Sequence, residues 1–469
     1  MEHKNIFCRI IGDNRLMASV VALALFLPIQ GQGGASPAST EQPGISTEQS
    51  GTSMEQSGAS TEQSGASMEQ SGASTEQSGT SNESGTAQSS VSEAYPSDID
   101  SVDFSLLTCA PGHEQYTIFG HTAIRMNDKR QNGRDLAFNY GIFSFKKKFF
   151  VLRFIMGLTD YELAAWPTSI FLKDYKEEGR QVIEQPLNLT ALEKARLMAA
   201  LFENCREENK TYRYNFFYKN CTTKARDIIA SCLEGKIDYH WKENETTFRE
   251  MVHQYNASMP WTRFGEDILL GVAADRKIDN TQQQFAPITL ENDFNNADIL
   301  NPDGSTRPLA ATAKQLSPSG ITITSGGFPL TPNECGLLLL LFTAVLTFVE
   351  WKRRKVFWLL DAIYLLAVGG TGIILAMMIF SEHPTVSLNM NILLLNPIPL
   401  FFIPMTIMRG RKKINNPFWK YEAVALLLYL LVAAPFIQNV PGALIFVALS
   451  LLIRCGASLA LSGRLKTGK

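Results

Sequence analysis

Cys221 follows Asn220 and opens the stretch CTTKARDIIASCLEG, in which Ala225, Ile228, Ile229 and Cys232 recur at helical spacing and Gly235 marks the end. A thiol in the first turn of such a helix meets the positive end of the helix dipole and backbone N–H groups without intrahelical partners, which favours the thiolate. Those N–H groups, that of Cys221 included, are also placed to hold the oxyanion of a tetrahedral intermediate. A thiolate nucleophile needs a base, and His121, in the strand-like run FGHTAIR, is the candidate. Asn139, in LAFNYGIF on the following strand, is the candidate for the third catalytic position, the polar group that orients the imidazole. A cysteine also serves as a small buried hydrophobe. Cys221 stands between Asn220 and two threonines at the start of the helix, and that placement argues for chemistry. Cys232 lies on the stripe, ~16 Å further along the helix axis, so it is read as core and is out of disulfide reach of Cys221. Cys109 and Cys205 could pair with each other.

Other polar residues are candidates for substrate binding. His113, Glu114 and Tyr116 fall in APGHEQY, just before His121, where an exposed turn is the competing reading. Arg125, on the same strand as His121, could bind a phosphate or form a surface ion pair. Asn220 precedes the nucleophile, and His383 stands with Asn389, Asn391 and Asn396 in a polar stretch between two apolar runs. That stretch could bind lipid head groups or cap helix ends. The aromatic run YRYNFFYKN could line an acyl groove or build a core. The 7 cysteines form no CxxC pair and no zinc-ligand spacing, so neither a metal nor another cofactor is expected. A net charge of -2 offers no basic field for nucleic acid.

These residues must be carried by a chain whose composition changes along its length. Residues 1–33 hold Lys4, Arg9 and Arg15, an apolar run from Leu16 to Ile29 and then small residues, the order of a signal peptide. Cys8 precedes that run, so it is not placed to accept a lipid. Residues 34–100 contain STEQSGA-type repeats whose glutamates recur every seven positions, yet no apolar seam accompanies them, and a solvated tether is expected. Short aromatic and branched runs, then a helix capped at Thr190 and the cysteine helix last, predict an α+β catalytic domain over 101–278. A polar linker is expected over 279–330. Residues 331–469 then hold five apolar segments, near 333–350, 356–380, 392–408, 421–438 and 441–460, each long enough to cross a bilayer. WKRRK, RGRKK and the basic tail face the cytoplasm by the positive-inside rule, which puts the N-terminal domain outside, in agreement with the signal peptide. Asp361, inside the second segment, is within pairing reach of Lys355.

A histidine on an early strand followed much later by Asn-Cys at a helix start resembles the permuted papain-like order of lecithin:retinol acyltransferase-like enzymes, which take a fatty acyl group from a phospholipid through a cysteine thioester. CAPGHEQYTIFGHTAIR, FNYGIF, YRYNFFYKNCTT and SEHPTVSLNMNILLLNP resemble more closely the Lnb-type lipoprotein N-acyltransferases of bacteria. The resemblance runs from about Ser101 to the C-terminus and leaves out the repeats. It implies a permuted papain-like Cys/His domain followed by an all-α bundle of about five transmembrane helices, with His121 and Cys221 as the catalytic pair. It also implies membrane phospholipid as acyl donor, diacylated lipoproteins as acyl acceptor, and a multi-pass protein of the inner membrane with its catalytic domain in the periplasm. Two other readings stay open at this point. One is a papain-like cell-wall peptidase or amidase, which would need no five-helix bundle; the other is a non-catalytic docking module on a membrane anchor.

Overall fold

Runs of branched and aromatic residues fold into a wholly antiparallel sheet of seven strands. The computed structural model describes residues 98–114, 116–130, 133–143, 148–242, 244–320 and 328–466, with side chains to residue 460. The expected signal peptide and nearly all of the repeat tether lie outside the described residues. The strands are β1 (Val102–Cys109), β2 (His121–Asp128), β3 (Asp135–Ile142), β4 (Asp160–Pro167), β5 (Val182–Pro186) and β6 (Thr211–Arg213). They are followed by β7 (Lys236–Asp238), β8 (Thr246–Thr247), β9 (Lys277–Ile278), β10 (Asp298–Leu300), β11 (Thr306–Pro308) and β12 (Lys314–Ser317). The main sheet runs in the order β12-β5-β1-β2-β3-β4-β6; β10 pairs with β7 and β11 in one small sheet, and β8 with β9 in another.

The central strands are buried because both faces of the sheet are covered. On one face Leu107, Cys109, Ala123 and Ala137 pack against Phe171 of the helix Thr168–Glu177. On the other, Phe138 meets Phe202 of the helix Ala191–Asn204, whose start is fixed by the Thr190–Glu193 capping box. The cysteine helix, Cys221–Cys232, lies on that second face and is stapled to β2 by the Thr122–Thr222 hydroxyl pair at 3.1 Å. β1 ends, β2 begins and β3 ends at the same end of the sheet, so Cys109 sits opposite His121 in register.

Three expectations are corrected. Residues 279–320 are not a linker: the helix Pro287–Asn296 buries Leu290 and Phe294, and β12 extends the main sheet beside β5. A few apolar residues spaced one per turn among amides hid that packing behind a polar composition. For the same reason the cysteine helix is not the last element of the domain. Cys109 and Cys205 are free thiols, one inside a central strand and the other capping a helix on the opposite face.

The second half holds five helices long and apolar enough to cross a membrane: Pro332–Arg353, Trp358–Met378, Met390–Arg411, Phe418–Phe436 and Gly442–Ala460. Asp361 does not pair with Lys355. Arg454 of the fifth span bonds Asp361 Oδ1 at 2.7 Å and also holds Glu350 of the first span, so one buried cation is shared by two buried carboxyl groups and ties three spans together. In so low a dielectric, any one of them alone would be unfavourable by several kcal/mol.

The polar stretch after the second span serves the protein itself. The helix Pro260–Leu269 ends against it, and the carbonyls that such an end leaves unpaired are taken by amides of the membrane half. Asn389 Nδ2 donates to the Ile268 carbonyl at 2.7 Å, Asn391 Nδ2 to the same oxygen at 3.2 Å, and Gln438 Nε2 to the Leu270 carbonyl at 3.0 Å. The Gly271 and Val272 N–H groups donate to Thr385 and Leu388, each at 2.8 Å. Asn396 caps its own helix at Ile398 N.

Candidate active site

Local geometry brings three of the expected residues together. Gly120 has φ +79°, and a Cβ there would lie 2.5 Å from the Cys109 carbonyl oxygen, so only glycine allows the tight entry that makes His121 the first residue of β2. His121 Nε2 lies 3.2 Å from Asn139 Oδ1. That oxygen can only accept, so Nε2 carries the proton and Nδ1 is the ring nitrogen free to act as base. Asn139 is buried and donates its own N–H to the Ala137 carbonyl at 3.2 Å, which fixes its rotamer.

Asn220 positions the nucleophile rather than substrate. Its side-chain oxygen accepts from the N–H groups of Thr222 and Thr223 at 3.0 and 2.9 Å. Its amide nitrogen donates to the Phe216 and Phe285 carbonyls at 2.9 and 2.8 Å. Every strong hydrogen-bonding atom of that side chain is used in capping the helix, which corrects its assignment as a substrate contact. The cap also takes two of the three N–H groups expected to serve an oxyanion, and that of Cys221 remains.

Burial pushes the Cys221 thiol up. The adjacent His121, the Thr122 N–H and the Thr222 hydroxyl pull it down further, to about 7. For His121, burial disfavours the cation, while the Cys221 thiolate and the Asn139 bond favour it and win, so the imidazole sits above its ordinary value. The pair is therefore poised near neutrality as thiolate and imidazolium. Cys109, across the strand pair from His121, is pushed up to about 12 by burial, so proximity to the site alone does not activate a thiol.

The other candidates are distributed differently. His113 and Glu114 are exposed in the β1–β2 turn, where the Glu114 carbonyl accepts from Thr117. Tyr116 is 60 % exposed and meets Phe143 edge-on at 6.0 Å. Arg125 is not available to a phosphate, because its guanidinium is bonded to Asp135 at 2.8 and 2.6 Å and to Glu184 at 2.8 Å. His383 donates from Nε2 to the Phe154 carbonyl at 3.1 Å, bridging the two halves of the chain.

Two contributors lay beyond sequence reasoning. Gly141, at φ +90° in the irregular β3–β4 pairing, brings the backbone close to the thiol: its open Cβ position is 3.8 Å from Cys221 Cβ and 3.8 Å from the Tyr212 hydroxyl. That hydroxyl is buried and makes no hydrogen bond of good geometry. The sequence places Tyr212 in an aromatic run without its direction; its alternation with Tyr214, just past β6, is the available signal.

Comparison with known proteins finds two family models, one for each half of the chain. The family model for the Lnb N-terminal periplasmic domain matches residues 93–254, and that for the Lnb transmembrane domain matches residues 323–466. No curated protein and no solved structure matches the chain. The first match covers β1 to β6 of the main sheet and the cysteine helix, and the second covers all five spans. Carrying both halves in this order, the chain belongs to the Lnb family of lipoprotein N-acyltransferase-like membrane proteins, a periplasmic domain joined to a five-helix membrane domain.

Proposed function

We propose that the chain is a phospholipid-dependent lipoprotein N-acyltransferase that works by a ping-pong route through a thioester on Cys221, in the inner membrane with its catalytic domain in the periplasm. The observation that carries this reading is the poised Cys221–His121–Asn139 cluster on a domain bolted to the outer ends of membrane spans. Cys221 Sγ attacks the carbonyl of a phospholipid acyl ester; the Cys221 N–H and the Tyr212 hydroxyl are the donors proposed for the oxyanion. Collapse of the intermediate breaks the ester C–O bond, and His121 Nδ1 gives its proton to the departing lysophospholipid alkoxide. The α-amine of a diacylglyceryl-cysteine then attacks the thioester, His121 takes the amine proton, and the amide forms as the thiol is released. An amine with an ordinary pKa of about 8 is partly neutral at pH 7 and can attack. Asn139 holds the imidazole in the tautomer this requires.

The full-length protein in phospholipid vesicles without acceptor is expected to carry an acyl adduct on Cys221, detectable by mass spectrometry and slow to hydrolyse. A diacylated lipopeptide with a free α-amine discharges it to triacylated peptide, and an N-acetylated one does not. Cleavage of peptidoglycan fragments in place of adduct formation would refute the reading.

A further inference from the structure

The connection from β3 to β4 leaves the sheet at the same end as the thiol and contains the helix Phe150–Ile155, which has no buried residue. Val151 is 51 % and Phe154 47 % exposed, and Lys148 lies over the Phe149 ring at 5.1 Å. Exposed apolar surface with a basic flank suits a lipid interface. The position of this helix selects lipid as its environment. The Phe154 carbonyl accepts from His383 and the Met156 carbonyl from Glu382 N at 3.0 Å, and both partners follow the outer end of the second span.

From that edge a relay of rings runs inward. Phe154 and Phe150 are 6.3 Å apart, Phe150 and Phe143 5.9 Å, Phe143 and Tyr161 4.9 Å, and Tyr161 and Tyr214 4.5 Å between ring centroids. Tyr214 Cε2 is 3.2 Å from the open Cβ position of Gly141, which is itself 3.8 Å from Cys221 Cβ. A narrow cleft follows the relay, lined by Phe143, Phe150, Phe154, Leu158 and Tyr161 with the Arg153–Asp160 ion pair beside them. The rings are closely packed, so an acyl chain enters by parting them.

We propose that this tract is an acyl port: it takes one fatty acyl chain of an outer-leaflet phospholipid and leads it from the membrane edge to Cys221, with the ester carbonyl arriving at the thiol. The assignment of the chain to the donor rests on the acyl-transfer reading above. The donor is favoured because the tract ends at the nucleophile, where the donor carbonyl must sit first.

The test uses full-length Cys221→Ala protein in vesicles of phosphatidylethanolamine and phosphatidylglycerol, doped with a phospholipid bearing a diazirine at the end of one acyl chain. After irradiation, label is expected on residues 148–161. Label confined to the spans between 332 and 460 overturns the port, and so does stronger labelling of 148–161 by a diazirine on a diacylated lipopeptide. In the protein with Cys221 intact, Phe154→Asp is expected to lower the ratio of Cys221 acylation by vesicle phospholipid to that by p-nitrophenyl acetate at least tenfold. A parallel fall of both rates overturns the port. Label on 148–161 with no acyl adduct on intact Cys221 keeps the lipid port and removes the transferase reading; an adduct with label only in the spans does the reverse.

Discussion

Replacing His121 by Asn tests the poise of the thiol directly. With an apparent value of about 7, about half of Cys221 is thiolate at pH 7. Without the imidazole the thiol returns at least to its ordinary 9.0, and the thiolate fraction at pH 7 falls ~50-fold, to about 1 %. The more basic thiolate is the better nucleophile, by about eightfold over two units at a Brønsted slope near 0.45, so the net loss of rate at pH 7 is ~6-fold. At pH 10 a thiol returned to 9.0 is about nine-tenths ionised and the sign reverses: the variant reacts faster, by about sevenfold. The assay is the initial rate of mixed-disulfide formation on the Cys221 peptide with a small neutral disulfide reagent, followed by mass spectrometry from pH 5 to 10. Cys109, held up to about 12 by burial, is the internal control and stays unmodified at pH 7 in both proteins. Superimposable profiles would refute the pairing of His121 with Cys221. A variant slower at every pH would show that the substitution had closed access to the thiol instead.

Tyr212→Phe removes one proposed oxyanion donor without disturbing the ring contacts of β6, and a fall of about 10²-fold in acyl transfer is expected; a loss under threefold takes Tyr212 out of the site. Asn139→Ala leaves Nε2 without its acceptor and is expected to slow transfer at least tenfold while the dependence of thiol reactivity on His121 persists; Asn139→Asp, which keeps an acceptor at Oδ1, should recover part of the rate. Arg125→Ala acts on stability rather than chemistry. It strands Asp135 and the largely buried Glu184, so a loss of about 1–3 kcal/mol is expected, read as a lower Tm with acyl transfer per folded molecule unaltered.

The placing of the candidate site was legible where residue type and local element coincide. Asn-Cys before two threonines reads as a capped helix start, and FGH reads as a strand entry whose glycine has a steric reason. The five spans were legible because twenty apolar residues in a row have few other uses, and their expected bounds agree with the structure to within a few residues. What stayed hidden depends on contacts between distant segments. The role of Arg125 is set by Glu184, fifty-nine positions away, and that of Asn220 by the carbonyl of Phe285, sixty-five away. Neither partner has a local signature. The packing of residues 279–320 is hidden because burial of one apolar residue per turn leaves the average composition polar.

The carbonyls at the end of the helix Pro260–Leu269 have a consequence for synthesis. Their partners, Asn389, Asn391 and Gln438, are made after two to four spans have left the ribosome. The periplasmic half therefore cannot reach its final hydrogen bonding while it is being exported. It is completed only when the fourth span has been inserted and the turn at Gln438 has emerged on the outer face. Truncation before residue 332 would leave those oxygens, and the buried Ile268 beside them, open to water. Maturation of the protein is thereby coupled to membrane insertion, and a chain released early lacks the contacts that hold the helix Pro260–Leu269 in place.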